Sequence, residues 1–142
     1  MTGGAGFIGS HSARKLVKKG AFVRIADNLS RRRTGNISDI LNQIESIMAG
    51  LIKEENCFNS CNGLNIVFHL ATSVGGIEYP KKANAKGCVP SILMKTYMLE
   101  ASARYGVEHF LFTFSTCIYH AYCEGRETPV HLKEESAHPN SL

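Results

Sequence analysis

Apolar positions along the chain change their period several times, and each change marks a candidate element. Ile8, Ala13, Leu16 and Val17 recur at helical spacing, with Gly20 where a helix C-terminal glycine belongs. Residues 21–26 read as a short buried strand. Ile37, Ile40, Leu41 and Ile44 return to helical spacing, with Asn36 or Ser38 available as a cap. Residues 47–52 are the candidate third strand, although this apolar stretch does not separate strand from helix. Residues 65–70 (Asn-Ile-Val-Phe-His-Leu) read as another buried strand, followed by a glycine loop at Gly75 and Gly76. Much of 81–105 forms a long helix whose inner face carries Leu93, Met94, Tyr97, Met98 and Ala101. Pro90 bends that helix or begins part of it, Gly106 closes it, and 109–115 is the next strand.

Strands alternating with helices at this rhythm predict an α/β fold with a parallel, doubly wound sheet. No internal repeat or low-complexity segment interrupts it. Ligands of such sheets sit beyond the carboxyl ends of the strands, where the strand order reverses. That rule draws residues 3–9, Asp27, 71–76 and 115–119 around one crevice.

Residues 2–11 (Thr-Gly-Gly-Ala-Gly-Phe-Ile-Gly-Ser-His) carry the densest chemical information. Gly3, Gly6 and Gly9 stand three apart, ahead of the first helical pattern. The sharp turn after a strand favours a residue free to take positive φ. Close approach of backbone to a diphosphate disfavours a side chain at the middle position, and the last glycine lets the helix lie close against the sheet. The diphosphate then meets unpaired amides at the positive end of the helix, a dipole term of about 0.3–2 kcal/mol. Asp27 follows Gly9 by eighteen residues, where an acidic side chain accepts hydrogen bonds from the adenine ribose. A glycine-rich turn without a ligand is the plain alternative.

Composition narrows the classes. The chain has 142 residues, 44% hydrophobic, enough for one domain or part of one. No apolar run approaches the roughly 18 residues of a membrane span, no secretory signal opens the chain, and residue 2 is Thr. A cytoplasmic location without membrane attachment is the expectation. Cys57, Cys61, Cys88, Cys117 and Cys123 are odd in number, without a C-x-x-C pair, and read as reduced thiols. Cys57 and Cys61 near His69 match no common zinc spacing, so no metal is expected. The net charge of +4 owes much to Arg31, Arg32 and Arg33. With no aromatic interleaving or binding module, nucleic acid is not expected. These arginines lie beside the adenosine end of a cofactor or form a solvated basic loop.

The strand ending near residue 115 places Ser115 and Cys117 on one face if the extended conformation continues. A serine there holds a substrate hydroxyl or carbonyl, and a thiol exchanges protons with an acidic C–H. The bland account is a buried cysteine acting as a small hydrophobe and a serine satisfying backbone.

Residues 2–11, the turn Asp27-Asn28-Leu29-Ser30, residues 67–71 (Val-Phe-His-Leu-Ala) and residues 115–119 (Ser-Thr-Cys-Ile-Tyr) stand in a telling order and spacing. Together they resemble the extended short-chain dehydrogenase/reductase family, in its NAD-dependent epimerase/dehydratase group acting on nucleotide sugars. The resemblance covers essentially the whole chain. It implies a Rossmann-type fold in which Gly3, Gly6, Phe7, Ile8, Gly9, Asp27, Asn28, Ala71 and Thr72 bind NAD. It implies a nucleotide-sugar substrate approached by Gly75 and Gly76, and a homodimer for the full-length family member. A carboxylate at Asp27 facing a 2′-phosphate would be strongly unfavourable, which favours NAD over NADP. Residues 74–77 (Val-Gly-Gly-Ile) and 117–119 (Cys-Ile-Tyr) are similar to segments of both an epimerase and a reductase of the family, and 132–139 (Leu-Lys-Glu-Glu-Ser-Ala-His-Pro) resembles a segment of that epimerase. The dehydratases carry an acidic pair after the serine or threonine, and Thr116-Cys117 offers none. The implied reaction is epimerisation through transient oxidation. Ser115 holds the oxygen being oxidised, Cys117 and a partner base move a proton at the neighbouring carbon, and the hydride is then returned. A reductase or 4-epimerase of the family and a non-catalytic dinucleotide-binding protein are the alternatives.

The sequence also departs from the family. The expected acid/base pair is Tyr-x-x-x-Lys, yet Tyr79, Tyr97, Tyr105, Tyr119 and Tyr122 are followed at that offset by Ala83, Ala101, His109, Cys123 and Arg126. Met1 stands where the central first strand should be ending. Three or four buried aliphatic side chains in that strand would contribute roughly 5–10 kcal/mol. The expectation is therefore a partial Rossmann domain over residues 1–142, lacking its first strand and the substrate domain. Alone it should bind NAD weakly and catalyse nothing. Leu51 replaces an aspartate that contacts adenine, Thr72 a second alanine and Ser91 an asparagine.

Overall fold

The computed structural model describes residues 1–30, 34–73 and 85–113. The glycine-rich opening leads into α1 (Phe7–Lys18), then β1 (Arg24–Asp27), a 3-10 helix (Thr34–Gln43) and β2 (Glu45–Met48). Then follow α2 (Glu54–Cys61), β3 (Ile66–His69), α3 (Ala85–Arg104) and β4 (His109–Phe112). These elements belong to one compact unit, Met1–Phe112.

All strand pairings among the described residues are parallel. β1 pairs with β2, Arg24 opposite Glu45 and Asp27 opposite Met48. β3 pairs with β4, Ile66 opposite His109 and His69 opposite Phe112. Thr2 joins the pairs, bridging in parallel to Ala26 on one side and His69 on the other. The seam is held by Thr2 N–H to Phe68 O at 2.9 Å, Gly3 N–H to Ala26 O at 3.0 Å and Ala26 N–H to Met1 O at 2.9 Å. The order across the sheet is thus β2, β1, residues 1–3, β3, β4. Residues 1–3 occupy the central position, where the sequence reading placed the end of the first strand.

Successive strand residues point to opposite faces, and the core divides accordingly. Ile25 packs with Met1, Ala13, Val23, Ile37 and Ile40 on the face covered by α1 and the 3-10 helix. Ala26 and Val67 pack with Leu51, Cys57, Cys61, Met94, Met98 and Ala101 on the face covered by α2 and α3. Helices on both faces of a parallel sheet make the doubly wound arrangement expected from the sequence.

Several boundaries differ from expectation. The strands are shorter, β1 beginning at Arg24 rather than residue 21 and β4 spanning His109–Phe112. The third strand is Glu45–Met48, just ahead of the most apolar stretch, because Ala49 and Leu51 turn inward to pack beyond its end. Residues 34–43 adopt 3-10 geometry: Ile37 and Ile40, three apart, are buried, whereas Leu41 is 46% exposed. On α3, Met94, Met98 and Ala101 are buried as expected, but Leu93 faces outward. Ile8 is 63% exposed, so the apolar stripe of α1 begins only at Ala13. The helix α2 was not anticipated. Its Cys57 and Cys61, one turn apart, face the core.

Candidate functional site

A cleft of about 660 Å³ opens at the carboxyl ends of β1, residues 1–3 and β3. Of the residues expected to bind a dinucleotide, Gly3, Gly6, Phe7, Asp27, Asn28, Ala71 and Thr72 all line it. Ile8 and Gly9 are not among its lining residues. Gly75, Gly76, Ser115 and Cys117 lie outside the described residues.

The three spaced glycines do different work. Gly3 has φ +65°, and a Cβ there would stand 2.9 Å from the Ala71 amide nitrogen. The loop thus lies directly on the exit of β3. A Cβ at Gly9 would stand 2.7 Å from Gly4 Cα and closer still to the Gly3 carbonyl oxygen. Gly9 therefore lets α1 approach its own preceding loop, a more local reason than the helix–sheet contact expected. A Cβ at Gly6 would meet the Gly3 oxygen at 3.1 Å and nothing else within 4 Å. The fold scarcely needs a glycine there. Gly6 is also the N-cap of α1 and supplies no side-chain cap, so no capping oxygen competes for the first-turn amides.

Asp27 braces this loop. Its Oδ2 accepts the Ala5 amide at 3.1 Å and its Oδ1 the Leu29 amide at 2.9 Å. The Ala5 carbonyl in turn accepts Asn36 Nδ2–H at 2.9 Å. Leu29 takes φ 51°, an uncommon left-handed conformation for leucine, and its amide is held there by Asp27. Asn28 Oδ1 accepts the Ser30 amide at 3.1 Å, which continues the turn. An ionised carboxylate offers about four acceptor positions, so two remain after these bonds.

The opposite wall comes from the exit of β3. Ala71 N–H donates to Thr2 Oγ1 at 3.2 Å, and Ser73 N–H donates to Ser91 Oγ of α3 at 3.1 Å. Pro90 and Met94 of α3 also line this side. Beyond β2, Ala49, Leu51 and Ile52 give the cleft an apolar flank.

Other candidate groups are inert or elsewhere. Burial, reinforced by Cys61 and Glu54, pushes the Cys57 thiol up to about 12, and its Sγ donates to Leu51 O at 3.2 Å. Burial also raises Cys61, whose Sγ lies 3.7 Å from Ser102 Oγ. Neither is a thiolate at neutral pH. Among the described residues, no three His, Cys, Asp or Glu side chains gather as metal ligands, and no helix is long and apolar enough to cross a membrane.

Sequence reasoning assigned no site role to Thr2, His69 or Gly4. Thr2 and His69 are 2% and 1% exposed, with Thr2 Oγ1 2.9 Å from His69 Nδ1. Polar residues inside apolar strands were the available signal. A Cβ at Gly4 would lie 2.6 Å from the Ile25 side chain, a long-range clash with no local signature.

The chain resembles known proteins along its whole length. Residues 1–142 match the NAD dependent epimerase/dehydratase family. A GDP-mannose 3,5-epimerase 1 of Oryza sativa subsp. japonica is 32% identical over 139 residues, covering 98% of this chain and 36% of that protein. The GDP-mannose 3,5-epimerase of Arabidopsis thaliana is 30% identical over the same shares. Among solved structures, a Thermus thermophilus UDP-glucose 4-epimerase in complex with NAD superimposes with a TM-score of 0.76 at 26% identity, covering 95% of this chain and 42% of that one. The chain thus spans little more than a third of the length of these plant relatives.

Proposed function

Because this chain belongs to the NAD dependent epimerase/dehydratase family, we propose that its cleft holds NAD and that it serves a nucleotide-sugar epimerase. The observation that carries the cofactor reading is the convergence of Gly3, Gly6, Phe7, Asp27, Asn28, Ala71 and Thr72 on one cleft at the N-terminus of α1. The chemistry of the lining fits. The uncapped first turn of α1 suits a diphosphate, and the missing side chain at Gly6 leaves room for it. Asp27 retains acceptor positions for ribose hydroxyls, and Ala49, Leu51 and Ile52 suit the flat face of a base. When bound, NAD supplies a reversible hydride acceptor.

The chain's own residues then divide the remaining work. The glycine loop and Asp27 fix the cofactor's phosphate and adenosine end. Ser115 hydrogen-bonds the sugar oxygen that is oxidised, and Cys117 exchanges a proton at the adjacent carbon. Gly75 and Gly76 let backbone approach the sugar. Both plant relatives take GDP-mannose by name, which supports a GDP-sugar as substrate. A UDP-sugar 4-epimerase is the second reading, favoured by the likeness to the Thermus enzyme.

Calorimetric titration tests the first part. NAD should bind measurably, NADP much more weakly, and Asp27→Ala should lose NAD binding; no heat with NAD overturns the reading. Deuterium oxide separates the substrate readings in an active preparation. A 3,5-epimerase exchanges sugar C–H with solvent through proton removal, whereas a 4-epimerase returns the same hydride and incorporates no deuterium. Turnover that consumes NADPH would instead mark a reductase.

A further inference from the structure

We propose that Thr2 and His69 form a positioning pair that sets the spacing between the two walls of the cleft and so governs dinucleotide affinity. The inference rests on the NAD reading above for its ligand, though not for its geometry. Neither side chain is among the residues lining the cleft. Both are buried at the centre of the sheet, where Thr2 immediately precedes the glycine loop and His69 ends β3.

One hydroxyl ties the walls together. Thr2 Oγ1 lies 2.9 Å from His69 Nδ1 and accepts the Ala71 amide at 3.2 Å. The Thr2 carbonyl accepts Leu70 N–H at 3.2 Å. Leu70 and Ala71 line one wall, and Gly3 and Ala5 the other. The walls already touch here, since a Cβ on Gly3 would stand 2.9 Å from the Ala71 nitrogen. With the imidazole proton on Nε2, the Thr2 hydroxyl donates to Nδ1 and turns a lone pair toward Ala71 N–H. His69 thereby fixes the direction of the bond that holds Ala71. The imidazole is itself oriented by Phe110 and Phe112 of β4, whose ring centroids both lie 5.9 Å away.

Packing alone does not call for this arrangement. Apolar residues of the same shape would fill the space without the desolvation cost of a buried hydroxyl and imidazole. What the polar pair adds is a directed bond to Ala71.

The test uses Thr2→Val, which keeps the branched shape and removes the hydroxyl. In protein shown to be folded by circular dichroism, its NAD affinity should fall about tenfold and the Ala71 amide should exchange correspondingly faster. Thr2→Ser should restore both. His69→Leu should behave as Thr2→Val, whereas His69→Asn, with an amide oxygen near the place of Nδ1, should stay close to wild type. If Thr2→Val does not fold, the two His69 variants decide. A folded Thr2→Val or His69→Leu with wild-type affinity and Ala71 protection overturns the proposal, as does failure of Thr2→Ser to restore them. Absence of NAD binding in the unmutated chain would instead remove the cofactor reading, leaving Ala71 exchange to decide whether the pair fixes the wall.

Discussion

The two flanks of the cleft are built on different principles. Along the glycine loop and the turn after β1, position is set by directed bonds: Ala5 is held through its amide by Asp27 and through its carbonyl by Asn36, and Gly6 N–H is bound to Gly3 O. Along the end of β2, Ala49, Leu51 and Ile52 contribute no polar side chain, and Leu51 is held by packing among Cys57, Val67 and Met98. The first flank is specified by orientation, the second by volume. They should therefore fail in different ways: changes at cleft-facing positions of the first should lose ligand with little loss of stability, and changes in the second should lose mainly stability.

The largest effect is expected on the packed flank. Leu51 is 3% exposed, and Leu51→Ala should cost about 2–4 kcal/mol in urea denaturation, while protein that remains folded loses less NAD affinity than Gly6→Ala, because Ala49 and Ile52 still line that flank. The seam between the flanks should respond to acid. His69 is held down to about 4, by burial first and then by the Lys95 ammonium and the Met1 amine. The unfolded chain takes up that proton near pH 6.5 and the folded chain only near 4, so stability is full above that window and falls as pH drops through it. The total loss is about 3 kcal/mol. Denaturation midpoints between pH 7 and 4 should show this slope, and His69→Asn should flatten it.

On the directed flank, two alanine substitutions sharpen the contrast. Gly9→Ala forces a methyl against backbone of the loop and should cost about 1–3 kcal/mol by thermal or urea unfolding. Gly6→Ala meets only the Gly3 oxygen. It should change stability by less than about 1 kcal/mol yet weaken NAD more than tenfold by calorimetry. Equal losses of stability at the two glycines would erase the distinction.

The same division explains what could be read from the sequence. The glycine loop, Asp27 and the turn after it follow short-range rules, and they fall together on the cleft. The inner face of α3 was legible at Met94, Met98 and Ala101 because burial follows the helical period there. Leu51 could be noticed as a departure from the family, but its place in the core depends on α2, a helix with little apolar periodicity of its own. Ile37 and Ile40 suit a period of three as readily as 3.6, so helical spacing alone did not distinguish the 3-10 helix from an α-helix. Gly4 is explained only by Ile25, and Thr2 only by His69, contacts that exist after the sheet has formed.

The seam at Thr2 also bears on assembly. Its partner His69 is 67 positions away, whereas α1 closes through neighbours within the same dozen residues. Ordering so long a loop carries an entropy cost before the contact repays it. The middle of the sheet should therefore be completed late, after its flanking helices have begun to form. Pulse-labelled refolding should find α1 amides protected before that of Leu70, which is bound to the Thr2 carbonyl; the reverse order would mean that the centre nucleates the rest.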